Sequence, residues 1–100
     1  MYTAIRTYTT SDAREVTRLV QQEFVPIVKD LPGFIGYYLI DAGDGKIASI
    51  TVCDEREDVE ETTKRAADWV RDRLSSLLTS GPEVLTGDTV VAETAARVTT

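Results

Sequence analysis

The chain has 100 residues, a formal net charge of -6 and a hydrophobic fraction of 42%. We therefore predict one globular domain over residues 1–100, with a core from about 2 to 93 and a frayed tail over 94–100. Because Lys and Arg are scattered rather than clustered, we expect no nucleic acid and no anionic membrane as a partner.

Residue types that are rare or missing restrict the chemistry further. The single cysteine, Cys53, and the lack of a signal-peptide pattern predict a cytoplasmic protein without disulfides. No apolar run is long enough to span a membrane. The sequence contains no histidine and no asparagine. Without histidine the commonest metal ligand and the usual general base are missing, so we expect neither a metal nor a cofactor.

The first half of the chain predicts a strand followed by a helix. The segment from Tyr2 to Thr9 alternates and is rich in β-branched and aromatic residues. A helix is predicted from about residue 12 to Leu31, with Ser11 as a candidate N-cap. Pro26 should kink this helix, and the Pro-Gly pair that follows Leu31 should end it.

The second half predicts two strands, a helix and a last strand. The strands run over about 34–41 and 46–53, and a Gly-Asp-Gly turn joins them. The acid-rich stretch after Asp54 predicts a helix to about Leu78, and the last strand begins near Glu83. The order β-α-β-β-α-β predicts an α+β, ferredoxin-like fold with two helices on one face of an antiparallel sheet.

Both faces of the predicted sheet are apolar. In the second strand Phe34, Tyr38 and Ile40 should point one way, with Ile35, Tyr37 and Leu39 on the other side. Two helices can cover only one face. We therefore predict a homodimer in which two sheets pack face to face, as a dimeric α/β barrel. Which of the two tyrosines faces the helices stays open.

Three side chains do not fit the apolar stripes of the helices. Glu23 falls within the stripe of the first helix, Arg73 lies within that of the second helix, and Trp69 lies at its edge. In the structural interpretation, the Arg73 stem packs on Trp69 while its head reaches solvent, Glu23 is exposed or ion-paired, and Trp69 belongs to the core.

In the functional interpretation, the same three residues are catalytic and line a cavity between helices and sheet. Arg73 would hold a substrate anion, Glu23 would move a proton because burial raises its pKa, and Trp69 would stack on an aromatic ligand. A cavity of at least roughly a few hundred Å³ is required for this. The candidate substrate-binding residues are Tyr37, Tyr38, Phe24, Thr63 and Arg6.

Three segments carry a resemblance: "PGFIGYY", "IASITV" and "EETTKRAADWV". Over nearly its whole length the chain resembles the stand-alone domains of the antibiotic biosynthesis monooxygenase family, within the dimeric α/β-barrel superfamily. The resemblance implies a cofactor-free oxygenase whose phenol or quinol substrate reacts with dioxygen as its own anion. The family's haem-degrading branch uses Asn, Trp and His, of which only Trp69 has a counterpart here. Thr62 and Thr63 stand where related sequences often show Ser-Asn.

The sequence therefore leaves three functions open. The first is a cofactor-free monooxygenase-like protein that acts on or binds small aromatic or phenolic molecules. The second is a non-catalytic dimeric module that binds a small molecule or only assembles. The third, ranked last, is a haem-binding protein with a Tyr or Cys ligand.

Overall fold

The computed structural model describes residues 1–95. The predicted β-α-β-β-α-β order of an α+β, ferredoxin-like fold is confirmed. Residues 96–100 of the predicted tail lie outside the described part. The elements in chain order are β1 (Tyr2–Thr10), α1 (Ala13–Leu19), a π-helical turn (Val20–Phe24), α2 (Val25–Val28), β2 (Phe34–Gly43), β3 (Lys46–Cys53), α3 (Arg56–Arg73) and β4 (Leu78–Asp88).

The four strands form one antiparallel sheet in the order β2-β3-β1-β4. β1 and β3 are the central pair, so the N-terminal strand lies in the middle of the sheet. The turn between β2 and β3 has positive φ at Gly43, Asp44 and Gly45, a conformation that favours glycine and tolerates aspartate. Among residues 1–95, no helix has the length and apolarity needed to cross a membrane.

The first helix contains the irregularity predicted near Pro26, but as a π-helical turn. Pro26 has no N–H, so the carbonyl one turn earlier receives no ordinary helical bond. The turn widens just before the proline, where the Val25 N–H donates to the Val20 carbonyl five residues back. The helix ends at Val28 rather than Leu31. Asp12, not Ser11, is its N-cap, since the Asp12 carboxylate accepts from the Glu15 N–H at 3.1 Å.

The predicted boundary between the second helix and the last strand is wrong. α3 ends at Arg73, and β4 begins at Leu78 rather than near Glu83. The Gly81-Pro82 pair, which predicts a loop, lies within β4. Among residues 1–95 this strand pairs with β1 alone, and on such an edge a proline without an N–H is tolerated. The pairing of β4 with residues 7–10 of β1 contains register shifts, which accommodate the irregular β4 backbone around the Gly81-Pro82 pair.

The helices cover one face of the sheet and form the core there. Its buried residues come from the first helix, α3 and β3: Val16, Leu19, Val20, Phe24, Val28, Ile47, Ala66 and Leu74. A smaller cluster joins Ala4, Cys53 and Val59 near the other end of the sheet. Cys53 is 1% exposed, and a free cysteine in such a place packs as a small hydrophobic residue.

Tyr37 faces the helices, and Tyr38 lies on the opposite face of the sheet. Tyr37 and Leu39 pack against the core, whereas Tyr38 is 60% exposed. A bulge between Phe34 and Gly36 places Phe34 on the helix side as well. The predicted grouping of Phe34 with Tyr38 is therefore wrong, because the extra residue reverses the alternation.

The face away from the helices is apolar and uncovered in the single chain. The strand register aligns Tyr38, Ile50, Ile5 and Leu85 in one row across β2, β3, β1 and β4. Leu85 is 69% exposed. The two-faced pattern seen in the sequence is thus present in the sheet itself.

Candidate functional site

A cavity of about 30 Å³ lies between the helices and the sheet. Phe24 and Trp69 line it from the helices, and Arg6, Tyr8 and Tyr37 line it from the sheet. This volume holds about one water molecule. The cavity of at least a few hundred Å³ that the functional interpretation requires is therefore not present between the helices and the sheet.

Three aromatic rings from three elements form one wall of the cavity. Phe24, at the end of the π-helical turn, packs edge-to-face on Tyr37 of β2, with ring centroids 5.4 Å apart. Phe24 also contacts Trp69 of α3 at 5.3 Å, with the rings tilted by 35°. Rings at these distances attract one another beyond simple area burial. The π-helical turn thus positions Phe24 between the sheet and α3.

Glu23 joins the first helix to α3 through two side chains. The Arg73 guanidinium donates two hydrogen bonds to the Glu23 carboxylate, from Nε to Oε1 at 2.8 Å and from Nη2 to Oε2 at 2.9 Å. The Trp69 indole Nε1–H donates to the same Oε1 at 3.2 Å. The indole is therefore held by a carboxylate that is itself held by a guanidinium.

The expected rise in the Glu23 pKa is wrong. Its hydrogen bonds from Arg73 lower the pKa of Glu23 below the usual 4.5, and the effect exceeds that of desolvation. The same contact raises the pKa of Arg73. Both side chains are partly exposed, Arg73 by 51% and Glu23 by 33%. Neither lines the cavity, so of the three predicted catalytic residues only Trp69 does.

Arg6 is the charged side chain among the residues that line the cavity. It lies on β1 facing the helices and is 4% exposed. Its guanidinium donates to Thr63 Oγ1 on α3, and that hydroxyl donates in turn to the Val59 carbonyl at 2.9 Å. Among residues 1–95, no carboxylate forms an ion pair with Arg6. Burial lowers the pKa of Arg6, yet a guanidinium remains charged at neutral pH.

Two tyrosines beside Arg6 remain protonated at neutral pH. Burial raises the pKa of Tyr37 to about 12, while a hydrogen bond with Ser49 opposes the shift. Burial also raises the pKa of Tyr8, and the charge of Arg6 opposes it. Tyr8 and Ser49 also line the cavity, although neither is among the predicted substrate-binding residues. Strand alternation places Tyr8 on the same face of β1 as Arg6, since residues two apart share a face.

The described lining residues therefore supply a fixed positive charge, neutral hydrogen-bond donors and aromatic surface. None of them is a carboxylate, a lysine or a cysteine, and the chain has no histidine. Within residues 1–95, no three His, Cys, Asp or Glu side chains are grouped so as to hold a metal ion. Such a cavity can bind and polarise a ligand, but it offers no residue with the ordinary pKa of a general base.

No protein-family model and no curated protein matches the sequence. Solved structures do match. NE2512 of Nitrosomonas europaea, of unknown function, has 11% identity and a TM-score of 0.77, over 96% of this chain and 95% of that one. A monooxygenase from the ActVA-Orf6 gene of Streptomyces coelicolor, in complex with Nanaomycin D, has 17% identity and a TM-score of 0.74, over 95% and 92%.

A third match is SnoaB of Streptomyces nogalater, described as a cofactor-independent oxygenase. It has 16% identity and a TM-score of 0.70, over 91% of this chain and 94% of that one. At such identities the similarity concerns the fold. The chain has the ferredoxin-like fold of the antibiotic biosynthesis monooxygenase-like proteins.

Proposed function

We propose that the protein binds small aromatic molecules in the cavity between helices and sheet and oxidises them as a cofactor-free monooxygenase. One observation carries the proposal: the aromatic wall of Phe24, Tyr37 and Trp69 shares a cavity with the buried Arg6. The fold shared with two oxygenases supports it. Flat aromatic surfaces favour a planar ligand, and a fixed charge can stabilise charge that develops during a reaction.

A ligand larger than water requires the cavity to open. We propose that it opens between the π-helical turn and α3, where Trp69 is only partly buried. In the described part of the chain, the bonds of Glu23 to Trp69 and Arg73 are the only side-chain hydrogen bonds between these helices. A partly exposed ion pair is weak in water. Glu23 and Arg73 would thus position Trp69 and close the entrance, rather than exchange protons with the substrate.

The reaction would draw its electrons from the substrate. Oxidation of a methylene group that joins two aromatic rings to a carbonyl is one example. One oxygen atom of dioxygen becomes the carbonyl oxygen, and the other leaves as water with the two hydrogens of the methylene group. The substrate loses the four electrons that dioxygen gains, so no further reductant is needed. Because the described lining has no general base, the substrate must ionise to solvent, and Arg6 would stabilise the resulting anion.

Binding and oxygen uptake test this proposal. The protein is titrated with hydroxylated anthraquinones, flavonoids and haemin. Binding is followed by the fluorescence of Trp69, the only tryptophan, with inner-filter correction. Oxygen consumption is then measured with a hydroxyanthrone such as dithranol. We expect saturable quenching by planar phenols, and oxygen uptake that falls in Trp69→Phe but not in the control Tyr38→Phe, which lies on the other face of the sheet. Absence of saturable binding would refute the proposal.

A non-catalytic binding module is the second candidate. The small volume of the cavity and its lack of a carboxylate, lysine or cysteine favour this alternative. Saturable binding of the same phenols without oxygen consumption would establish it. Haemin in the panel addresses the third candidate, since an unshifted Soret band on mixing would exclude haem binding.

We further propose that two copies form a homodimer by packing their uncovered sheet faces together. The exposed apolar row that contains Tyr38, Ile50 and Leu85 supports this arrangement. Size-exclusion chromatography with light scattering should give a dimer for the wild type and a monomer for Ile50→Glu. The control Gln21→Glu, on an exposed helix position, should remain dimeric. A wild-type monomer at micromolar concentration would refute the dimer.

We also propose a cytoplasmic location, because the one cysteine, Cys53, is free and buried. Cell fractionation with detection of the full chain tests this. Recovery in a secreted or membrane fraction would contradict it.

A further inference from the structure

The uncovered face of the sheet carries two charges of opposite sign. Strand pairing and alternation place Lys46 of β3 and Glu83 of β4 on the same face as Ile50 and Leu85. Both charged side chains are exposed. The other residues that strand pairing assigns to this face of the described sheet are uncharged. A second copy that packs on this face must therefore accommodate one cation and one anion.

Neither charge has a partner within its own chain. Six ion pairs occur among residues 1–95, and none includes Lys46 or Glu83. Glu83 is level with Thr7 and Lys46 is level with Thr9, and β1 lies between them. Two strand spacings and two residues along the strands separate their backbones by about 12 Å. Lone charges that lose water are costly, so close packing of two faces requires a partner for each.

The face has room for such contacts beside the two side chains. Lys46 and Glu83 both border an open hollow of about 790 Å³, and small side chains line it, among them Thr7, Ala42 and Ala48. The hollow lies next to the apolar row, towards the end of the sheet that carries the turn between β2 and β3. Apolar contact is therefore centred on the row, and long side chains of a second copy can enter the hollow.

Two-fold symmetry offers two simple ways to pack the sheets face to face. An axis parallel to the strands keeps residues level along the strands and reverses the strand order. The partner's β4 then lies across from β2, and its β1 lies across from β3. Lys46 is one strand and two residues away from the partner subunit's Glu83, across a gap of about 10 Å. The two side chains point into this gap from opposite sides, which allows them to meet.

An axis perpendicular to the strands keeps the same charges apart. Glu83 lies two residues beyond the apolar row, and Lys46 lies four residues beyond it at the same end of the sheet. An axis centred on the row would place the partner's residues of this end at the opposite end. Lys46 would then be about 20 Å along the strands from the partner subunit's Glu83. This packing leaves both charges without a partner.

We propose that two copies pack about a two-fold axis parallel to their strands, with Lys46 of each copy paired to the partner subunit's Glu83. This inference rests on the proposed homodimer and specifies its orientation. Symmetry makes the pair occur twice in each dimer. The apolar row supplies the attraction, and the ion pairs towards the rim select the orientation.

Charge reversal at each position tests the inference. Lys46→Glu leaves two acidic residues on the face, and Glu83→Lys leaves two basic residues. Each variant alone repels its own copy at both pairs, so its dimer dissociation constant should rise about tenfold or more over the wild type. Sedimentation velocity over a dilution series of the full chain measures this change.

An equimolar mixture of the two variants should restore both ion pairs. The lysines of one variant then face the glutamates of the other. One variant is labelled with heavy nitrogen, so that native mass spectrometry separates the three dimers by mass. Heterodimers should far exceed about one half of all dimers, the share that random exchange gives without any preference between copies.

Matched controls reverse exposed charges on the covered side of the sheet. Lys64→Glu and Glu57→Lys lie on α3. Each should dimerise as the wild type does, and their mixture should give heterodimers at the random share. Circular dichroism and Trp69 fluorescence show that each variant has folded.

The outcomes separate this inference from the proposed homodimer. Wild-type affinity in either reversed variant, or heterodimers at the random share, would overturn the inference alone. The double variant Lys46→Glu/Glu83→Lys should dimerise as the wild type does. Recovery in the double variant without recovery in the mixture would place the pair within one chain and overturn the inference. A wild-type monomer at micromolar concentration would overturn both the inference and the homodimer.

Discussion

Replacing Arg6 with methionine should stabilise the protein, although most buried substitutions destabilise. Arg6 is 4% exposed and has no carboxylate partner among the described residues. A buried ion costs several kcal/mol, whereas the hydrogen bond to Thr63 returns about 1.5–3 kcal/mol. Methionine matches the arginine stem as far as Nε, contributes apolar burial and adapts to irregular space. Thr63 keeps its bond to the Val59 carbonyl. We expect a net gain of about 1–3 kcal/mol in the free energy of unfolding.

Urea denaturation, followed by circular dichroism and Trp69 fluorescence at one protomer concentration, measures the change. For a domain of this size, each kcal/mol should raise Tm by about 4–8 °C. The control Arg14→Met lies on the exposed side of α1 and should stay within about 0.5 kcal/mol of the wild type. A loss of more than about 1 kcal/mol in Arg6→Met would refute the reasoning. It would show that a partner compensates the charge of Arg6 in the folded protein.

Three further predictions concern other contacts. The Glu23 pKa is lowered in the folded state. The ionised carboxylate therefore stabilises the fold fully above pH 4.5, and this stabilisation is lost as the pH falls through the pKa of Glu23 in the folded protein. Trp69 emission in Glu23→Gln should therefore lack this acid transition, and an unchanged transition would contradict the contact. Absorbance at alkaline pH should show Tyr37 ionising near pH 12. The free energy of unfolding should fall between pH 10 and 12, because the folded state favours the protonated phenol. Ionisation of every tyrosine near pH 10 would contradict the burial of Tyr37. Gly33→Ala should lower Tm, because φ is +76° and the added Cβ meets the Asp58 carboxylate of the α3 capping box; an unchanged Tm would contradict this.

Local patterns in the sequence predict most of the fold. Alternation defines β1 and β3, glycine defines the turn between β2 and β3, and helical spacing defines both helices. The predictions that are wrong concern irregular backbone. The bulge at Phe34 and the π-helical turn before Pro26 each add one residue to a repeat, and a periodic pattern carries no signal for an added residue. β4 begins early because an edge position tolerates Pro82, and edge status depends on strand order.

The candidate site depends more strongly on tertiary structure. The helical wheel correctly identifies Glu23, Trp69 and Arg73 as misfits, but it cannot show that three side chains from two helices contact one another. It assigns the anion-binding role to Arg73, which the structure leaves half exposed and ion-paired. The sequence predicts Arg6 as one of five substrate-binding residues, but the burial of its charge becomes evident only where α3 covers β1.

The sequence by itself determines the element order, the two apolar faces of the sheet and the lack of a histidine in any site. These properties follow from residue types and from short-range spacing. Tertiary structure alone decides which tyrosine faces the helices and how large the cavity is. It also decides which arginine side chain is desolvated. Desolvation and pairing depend on groups far apart in the chain, such as Glu23 with Arg73 and Arg6 with Thr63.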